Sequence, residues 1–286
     1  MTEKGGLLFR VMHPRGRYPL ETVSCEDGML AQAFWRSYVF SVVRQTEHDE
    51  HQSEVCWALP SEIRFWASIA LAYKESPLSM CMYPSVPGAL PFSTGNFDDL
   101  FIWKVALHFD KTYLGAYVSQ LGCYERRKDV FDPQIQTVLM GAIDLGDSVL
   151  IRGLSAFLKA NVLCYTDRLF MEEATLLMFF AMESTLEIAR RRLEQSGVQN
   201  PAFDDAIEYV ASGVAPKDAA LEYFRECYDK RVVLVHPSNR VTSDIVPLLW
   251  ADDFYDNYEI VADTYRRLLL GGDDDTASPE PGGLEC

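Results

Sequence analysis

The spacing of apolar residues in the second half of the chain predicts a series of amphipathic helices. Apolar positions such as Val138, Leu150 and Leu158 recur at intervals that bring them to one helix face. Two prolines mark the limits of one predicted helix. Pro216 suits its first position, and Pro237 prevents the helix from continuing. The predicted helices span about 133–163, 170–194, 203–210, 216–234 and 252–270.

The beginning of the chain has a less regular pattern. Residues 5–13 predict a short strand. Residues 28–45 predict a helix, because Leu30, Phe34 and Tyr38 recur at helical spacing after Asp27, a suitable cap. This region therefore combines a predicted strand with a predicted helix.

The next stretch contains one clear helix and one ambiguous segment. The helix begins at Ser61, and the prolines between Pro77 and Pro91 then break the chain into a loop. From 98 to 120 the pattern fits a strand and a helix equally well. The charged segment 125–133 ends in proline and marks the predicted domain boundary.

The predicted fold class is mainly α. Residues 131–270 form a helical bundle, and residues 1–130 form an N-terminal domain of α or α+β type. Residues 271–286 contain few core-forming side chains and are predicted to be a disordered tail.

The charge is concentrated in the predicted bundle. The whole chain has a formal charge of −16. Residues 1–133 contain 13 basic and 16 acidic residues, which leaves 13 basic and 26 acidic residues for the remainder. This acidity disfavours binding to a phosphate backbone through bulk charge. Nucleic-acid chemistry would need a local basic pocket or a basic partner.

The cysteines and the hydropathy pattern predict a cytoplasmic protein. The 7 cysteines include no C-x-x-C pair, which indicates free thiols in a reducing compartment. The N-terminal residues lack the apolar segment of a secretory signal. The longest apolar stretch, 174–182, is too short to span a bilayer.

Three segments of the predicted bundle carry a recognisable pattern. The sequence FFAMESTLE at 179–187 places Glu183 after an apolar run. The sequence ECYDKRVVLVHPSNR contains Tyr228, Arg231 and His236 in a Tyr-x2-Arg-x4-His arrangement, followed by Asn239. The final segment is DDFYDNYEIVADTYRRLL. Together these segments resemble Apea-like HEPN domains over roughly half of the chain.

The resemblance implies an HEPN-like bundle that forms a homodimer through its motif helices. It also implies a composite, metal-independent endoribonuclease without a cofactor. His236 would be the general acid–base for the attacking 2′-hydroxyl, and Arg231 would bind the phosphate. Glu183, Tyr228 and Asn239 would support this site. The resemblance further implies a toxin or phage defence effector that a protein partner inhibits or activates.

Two departures from the family pattern keep a second hypothesis open. Apolar residues fill 232–235, and Pro237 stands where glycine often follows the histidine. The second hypothesis is a non-catalytic HEPN dimerisation scaffold whose N-terminal domain recognises a ligand or protein. A third hypothesis assigns the main activity to the N-terminal region, with the proline-rich loop as its lid.

Several other residues have both a chemical and a structural interpretation. Glu183 either orients Arg231 or is a carboxylate paired within the bundle. The basic runs 190–192 and 126–128 are either phosphate contacts or solvated charges. The segment HDEHQSEVC offers three potential metal ligands but no evident fourth ligand, so no metal site is predicted.

Overall fold

The computed structural model describes residues 6–12, 15–16, 24–25, 30–35, 38–45, 60–72, 80–81, 84–86, 132–166, 170–212, 218, 221–227 and 251–271. The fold is mainly α, as predicted. The seven helices of the described residues are α1 (Pro60–Leu71), α2 (Pro133–Ala142), α3 (Ser148–Thr166), α4 (Met171–Gln195), α5 (Phe203–Ala211), α6 (221–227) and α7 (Ala251–Leu270).

Within the described residues, the strands lie in the first 86 positions of the chain. They are β1 (Gly6–Met12), β2 (Arg15–Gly16), β3 (Ser24–Cys25), β4 (Leu30–Trp35), β5 (Tyr38–Gln45), β6 (Met80–Cys81) and β7 (Pro84–Val86). Five of them form a sheet in the order β3-β4-β5-β1-β7, and β2 pairs with β6. Every pairing is antiparallel. The strand predicted at 5–13 is confirmed as β1, whereas β6 and β7 occupy part of the predicted proline-rich loop.

The predicted helix over residues 28–45 is wrong, because this segment forms β4 and β5. The two strands pair from Ala31↔Val42 to Trp35↔Tyr38. The apolar positions on which the prediction relied are four residues apart, and such positions share one face of a strand as well as of a helix. The β-branched and aromatic residues of β5, YVFSVVRQ, favour the extended conformation.

The single long helix predicted over 133–163 is also wrong, because the chain breaks between α2 and α3. Ile143 has an extended backbone and ends α2. Asp144 then accepts a hydrogen bond from the backbone N–H of Gly146. Asp147 accepts from the N–H groups of Val149 and Leu150, and so caps α3. These two aspartates provide local hydrogen bonds that replace the continuous helical ladder.

Helix α1 packs into the same core as the C-terminal helices. It contacts α2, α3 and α7. The backbone N–H of Asp132 donates to the carbonyl of Ala72 at 3.1 Å, just beyond the end of α1. Arg266 on α7 donates from Nε to the carbonyl of Leu71 at 2.7 Å. The domain boundary near residue 130 stays a prediction, but the helical core includes a helix that precedes it.

Helix α4 is the central helix of this core. It contacts α3, α5 and α7, and its interior face includes the buried Met178, Phe179 and Met182. Between α3 and α7, the ring of Phe157 stacks on Tyr258 with centroids 4.8 Å apart. Burial of such aromatic rings is a large apolar contribution to stability.

Other predicted helices agree with the structure. The prediction is confirmed for the helices that form α1, α4, α5 and α7, and α6 lies within the helix predicted over 216–234. Val138 was predicted as an apolar position of its helix, but it is 54% exposed and the adjacent Leu139 is buried. The segment 98–120, the basic run 126–128 and the tail from 272 onwards lie outside the described residues.

Candidate functional site

Only one of the five predicted site residues lies in the described part of the chain. Tyr228, Arg231, His236 and Asn239 lie outside it, and so does the segment HDEHQSEVC. Glu183 lies in α4 and is half-buried. The structure therefore describes the helix that precedes Tyr228 in the sequence and the part of α4 that carries Glu183.

Helix α6 immediately precedes the predicted motif in the sequence, and its side chains contact α5 and α7. The Cys227 thiol donates to Oδ1 of Asn257 on α7 at 3.2 Å, in the interior of the protein. At the surface, Arg225 pairs with Asp204 of α5 at 3.5 Å. Phe224, the residue before Arg225, is buried in the hydrophobic core. Helix α6 is therefore held by apolar burial of Phe224 and by polar contacts of Arg225 and Cys227.

Glu183 lies between interior and exposed positions of α4. The next residue, Ser184, is buried and donates to the carbonyl of Val149 on α3 at 2.9 Å. One turn before Glu183 on the same side of the helix, Phe180 is 42% exposed. One turn after it lies Glu187, which is partly exposed. Glu183 therefore marks the point where an apolar stripe of α4 becomes a charged one.

Tyr265 fixes the position of α7 against this part of α4. Its hydroxyl donates to the carbonyl of Ala181 at 3.0 Å. Burial raises the pKa of the Tyr265 hydroxyl above its ordinary value, and a hydrogen bond with Ser184 acts in the opposite direction. Tyr265 therefore stays protonated at neutral pH and acts as a hydrogen-bond donor.

Two polar residues of α7 contact two different helices. Asn257 contacts α6, whereas Tyr265 contacts α4 near Glu183. These positions are eight residues apart, which corresponds to about 12 Å along a helix axis. The contact between Arg231 and Glu183 stays a prediction.

The three arginines of the basic run in α4 are bound to internal partners. Arg190 pairs with Glu187 at 3.0 Å and with Glu194 at 3.6 Å. Arg191 pairs with Asp147 at 3.2 Å and with Glu187 at 3.1 Å. Arg192 donates to the carbonyl of Leu268. These pairings favour the structural interpretation of this run over phosphate binding.

Glu187 is the centre of this ion-pair cluster. The hydrogen bond from Arg190 lowers the pKa of the Glu187 carboxyl, partial burial opposes this effect, and Arg191 lowers the pKa further. The carboxylate is thus ionised at neutral pH and links the two arginines. Because Arg191 also binds Asp147, the cluster connects α4 to the residue that caps α3.

Sequence reasoning missed the buried polar contacts between the helices. Asn257 is the clearest case, because it falls on the apolar stripe of α7 with Phe254, Tyr258 and Val261. An amide at a core position is a signal that could have been found, since a buried polar group normally requires a hydrogen-bond partner. The identity of that partner, Cys227, could not be read from the sequence.

The described residues contain no group of three or more His, Cys, Asp or Glu side chains that could bind a metal ion. Cys164 and Cys227 are both buried, and neither is part of a disulfide bond. Within the same residues, no helix is both long enough and apolar enough to cross a membrane.

Comparison with known proteins finds no relative for this chain. No family model matches the sequence, and neither a curated protein nor a solved structure resembles it significantly.

Proposed function

We propose that this protein is a metal-independent endoribonuclease of the HEPN type. Arg231 and His236 are its catalytic residues, and Glu183, Tyr228 and Asn239 support them. The observation that carries the proposal is the contact of α6 with α7, because α6 immediately precedes the Tyr-x2-Arg-x4-His segment in the sequence.

The order of the helices also supports the proposal. Two long helices, α3 and α4, are followed by the short α5, then α6, then the long α7. This order agrees with the bundle that the family resemblance implies. All five helices contribute buried residues to one hydrophobic cluster. The motif therefore follows a helix of a packed core, and such a scaffold suits catalytic groups that need fixed positions.

The proposed chemistry uses the ordinary properties of the two catalytic side chains. His236 removes a proton from a ribose 2′-hydroxyl, which attacks the adjacent phosphate and displaces the 5′-oxygen of the next nucleotide. A histidine titrates near neutral pH, so a histidine of the site can also return a proton to the leaving oxygen. Arg231 binds the phosphate oxygens through its fork of donors and stabilises the negative charge that develops on them.

The charge distribution supports a confined phosphate site. The chain is strongly acidic, and Arg190, Arg191 and Arg192 are paired within the protein. Arg231 is therefore the cation that the proposal assigns to the substrate. RNA binding of this kind has few phosphate contacts and a shallow dependence on salt concentration.

The proposal includes the partners and the location of the protein. The substrate is RNA, and two copies of the chain complete the site through their motif helices. A further protein inhibits or activates the nuclease, as suits a toxin or a phage defence effector. The cytoplasm is its proposed compartment, because the chain carries 7 cysteines without a C-x-x-C pair.

The decisive experiment measures cleavage of varied RNAs by the purified protein in EDTA. We expect the wild type to cleave RNA, and Arg231→Ala and His236→Ala to abolish cleavage. The matched controls are Arg44→Ala and His51→Ala, which alter another arginine and histidine of similar separation in the chain. Cleavage that requires a divalent metal, or that persists in His236→Ala, would contradict the proposal.

A non-catalytic HEPN scaffold is the second candidate function. It is favoured by the internal pairing of the α4 arginines and by the exposed Phe180, which follows the partly buried Leu176 and Leu177 on α4. Such a stripe suits contact with another protein. A dimer by light scattering that cleaves none of the RNAs would support this candidate, with recognition assigned to the N-terminal domain.

A further inference from the structure

The order of the elements along the chain alternates between strands and core helices. Strands β1–β5 come first, α1 follows, β6 and β7 come next, and α2 begins the remaining helices. Strands β6 and β7 belong with the strands that precede α1, because β6 pairs with β2 and β7 pairs with β1. Among the described elements, the chain therefore passes three times between the strand region (β1–β7) and the helical core.

Helix α1 is fixed in the helical core at its C-terminal end. Arg266 of α7 donates to the carbonyl of Leu71, the last residue of α1, and the backbone N–H of Asp132 donates to the carbonyl of Ala72. Carbonyls at a helix end have no partner within the helix and need one elsewhere. Both partners come from the C-terminal half of the chain, so α1 belongs to the core although it lies among the strands in the sequence.

Contacts between strands and helices occur at two places. Helix α1 contacts β5, the strand that pairs with both β1 and β4, and β6 contacts α3. Residues 62–72 are buried, except for the partly buried Arg64. A helix that is buried on nearly all sides is enclosed by its neighbours. Separation of the strand region from the core would remove contacts from this helix, and exposure of apolar surface is unfavourable.

We propose that α1 couples the strand region to the helical core, so that the two form one cooperative unit. Independent domains are joined by exposed linkers that few contacts cross. Here the chain alternates between the two parts, and α1 contacts both. This inference does not depend on the proposed nuclease activity. Its consequence is that a ligand bound by the strand region stabilises the helical core as well.

Native-state hydrogen exchange of the full chain measures whether the two parts open together. The variant is Gly153→Ala, because a Cβ at this position of α3 would overlap Ser184 and the Tyr265 hydroxyl. The reporters are the slowest-exchanging backbone amides of three groups: β1 with β5, α1, and α3 with α4. We expect all three groups to exchange faster by the same factor, about 5- to 100-fold for an overpacked core.

Gly141→Ala is the matched control with the opposite sign. A Cβ at this position of α2 would meet nothing within 4 Å. The alanine should therefore slow exchange in all three groups by up to about fivefold, through its higher helix propensity. If Gly153→Ala does not fold, this variant provides the same comparison.

Two results would overturn the proposal. The first is a change confined to α3 and α4, with wild-type exchange rates in β1 and β5, because the strand region would then open separately. The second is faster exchange of α1 in the wild type than of both other groups, because α1 would then open without them and would not be the coupling element.

Discussion

The hydroxyl of Tyr265 on α7 donates a hydrogen bond to the backbone carbonyl of Ala181 on α4, across 84 positions of the sequence. The same hydroxyl lies beside Ser184, whose own hydroxyl donates to the carbonyl of Val149 on α3. Three helices thus meet at a pair of buried hydroxyl groups, and Ser184 directly follows Glu183 on α4.

Removal of the Tyr265 hydroxyl should destabilise the protein by about 1 kcal/mol, the usual net contribution of one hydrogen bond. The phenylalanine ring of Tyr265→Phe keeps the apolar contacts, including the edge contact with Phe157. The measurement is the free energy of unfolding in urea. Tyr209→Phe is the control at an exposed position, and a similar loss in both variants would show that the buried contact has no special importance.

Gly153 should tolerate no side chain, although it lies inside α3. A Cβ at this position would overlap the Ser184 side chain and the Tyr265 hydroxyl. We expect Gly153→Ala to lower the free energy of unfolding by about 1–3 kcal/mol, the range for an overpacked core. This loss would exceed the gain in helix propensity, which is about 1 kcal/mol at most.

Gly141 provides the matched control for this prediction. It also lies in a helix, α2, but a Cβ there would meet nothing within 4 Å. Gly141→Ala should therefore raise the free energy of unfolding by up to about 1 kcal/mol. Urea unfolding of both variants tests the contrast. Stabilisation by Gly153→Ala would contradict the close approach of α3 to α4 and α7.

Asp147 combines two roles that substitution can separate. Asp147→Asn keeps an oxygen that can cap α3 but loses the ion pair with Arg191, whereas Asp147→Ala loses both. We expect the asparagine to destabilise by less than about 1 kcal/mol, because the pair is partly exposed. The alanine should destabilise by about 1 kcal/mol more, through loss of the cap. Equal effects in urea unfolding would contradict the capping role.

Glu187 should make the stability of the helical core depend on pH. Its pKa is lowered in the folded protein from the ordinary value of 4.5. The ionised form is therefore favoured by folding, and its contribution is complete above about pH 4.5 and disappears as the pH falls through the lowered pKa. The stability difference between wild type and Glu187→Gln should follow this course and should shrink at high salt.

Urea unfolding across the acid range measures this difference. Glu222→Gln changes an exposed carboxylate on α6 and serves as the control. A difference for Glu187→Gln that persists unchanged at pH values well below the ordinary pKa would show that its effect does not arise from ionisation.

The helices were largely predictable where one apolar stripe continued between clear end signals. Helix α5, for example, was predicted over 203–210 and spans Phe203–Ala211. The prediction failed at 28–45, because a four-residue repeat is compatible with both helix and strand. It also failed between α2 and α3, where Asp144 and Asp147 redirect the backbone within an apolar stretch.

The candidate site was predictable only as a set of residue types. The pattern of Tyr228, Arg231 and His236 indicated a nuclease motif, and it stays a prediction. The sequence did not show that Asn257 would meet Cys227, because a buried amide identifies the need for a partner but not the partner itself.

By itself, the sequence determined that the protein is mainly α, where most of its helices lie, and which half carries the charge. These properties depend on local periodicity and composition. The tertiary structure decided that Arg191 binds Asp147, that Arg266 reaches Leu71 and that Tyr265 reaches Ala181. These partners are 44, 195 and 84 positions apart. Their meeting depends on how the helices cross, and side-chain packing between helices determines that geometry.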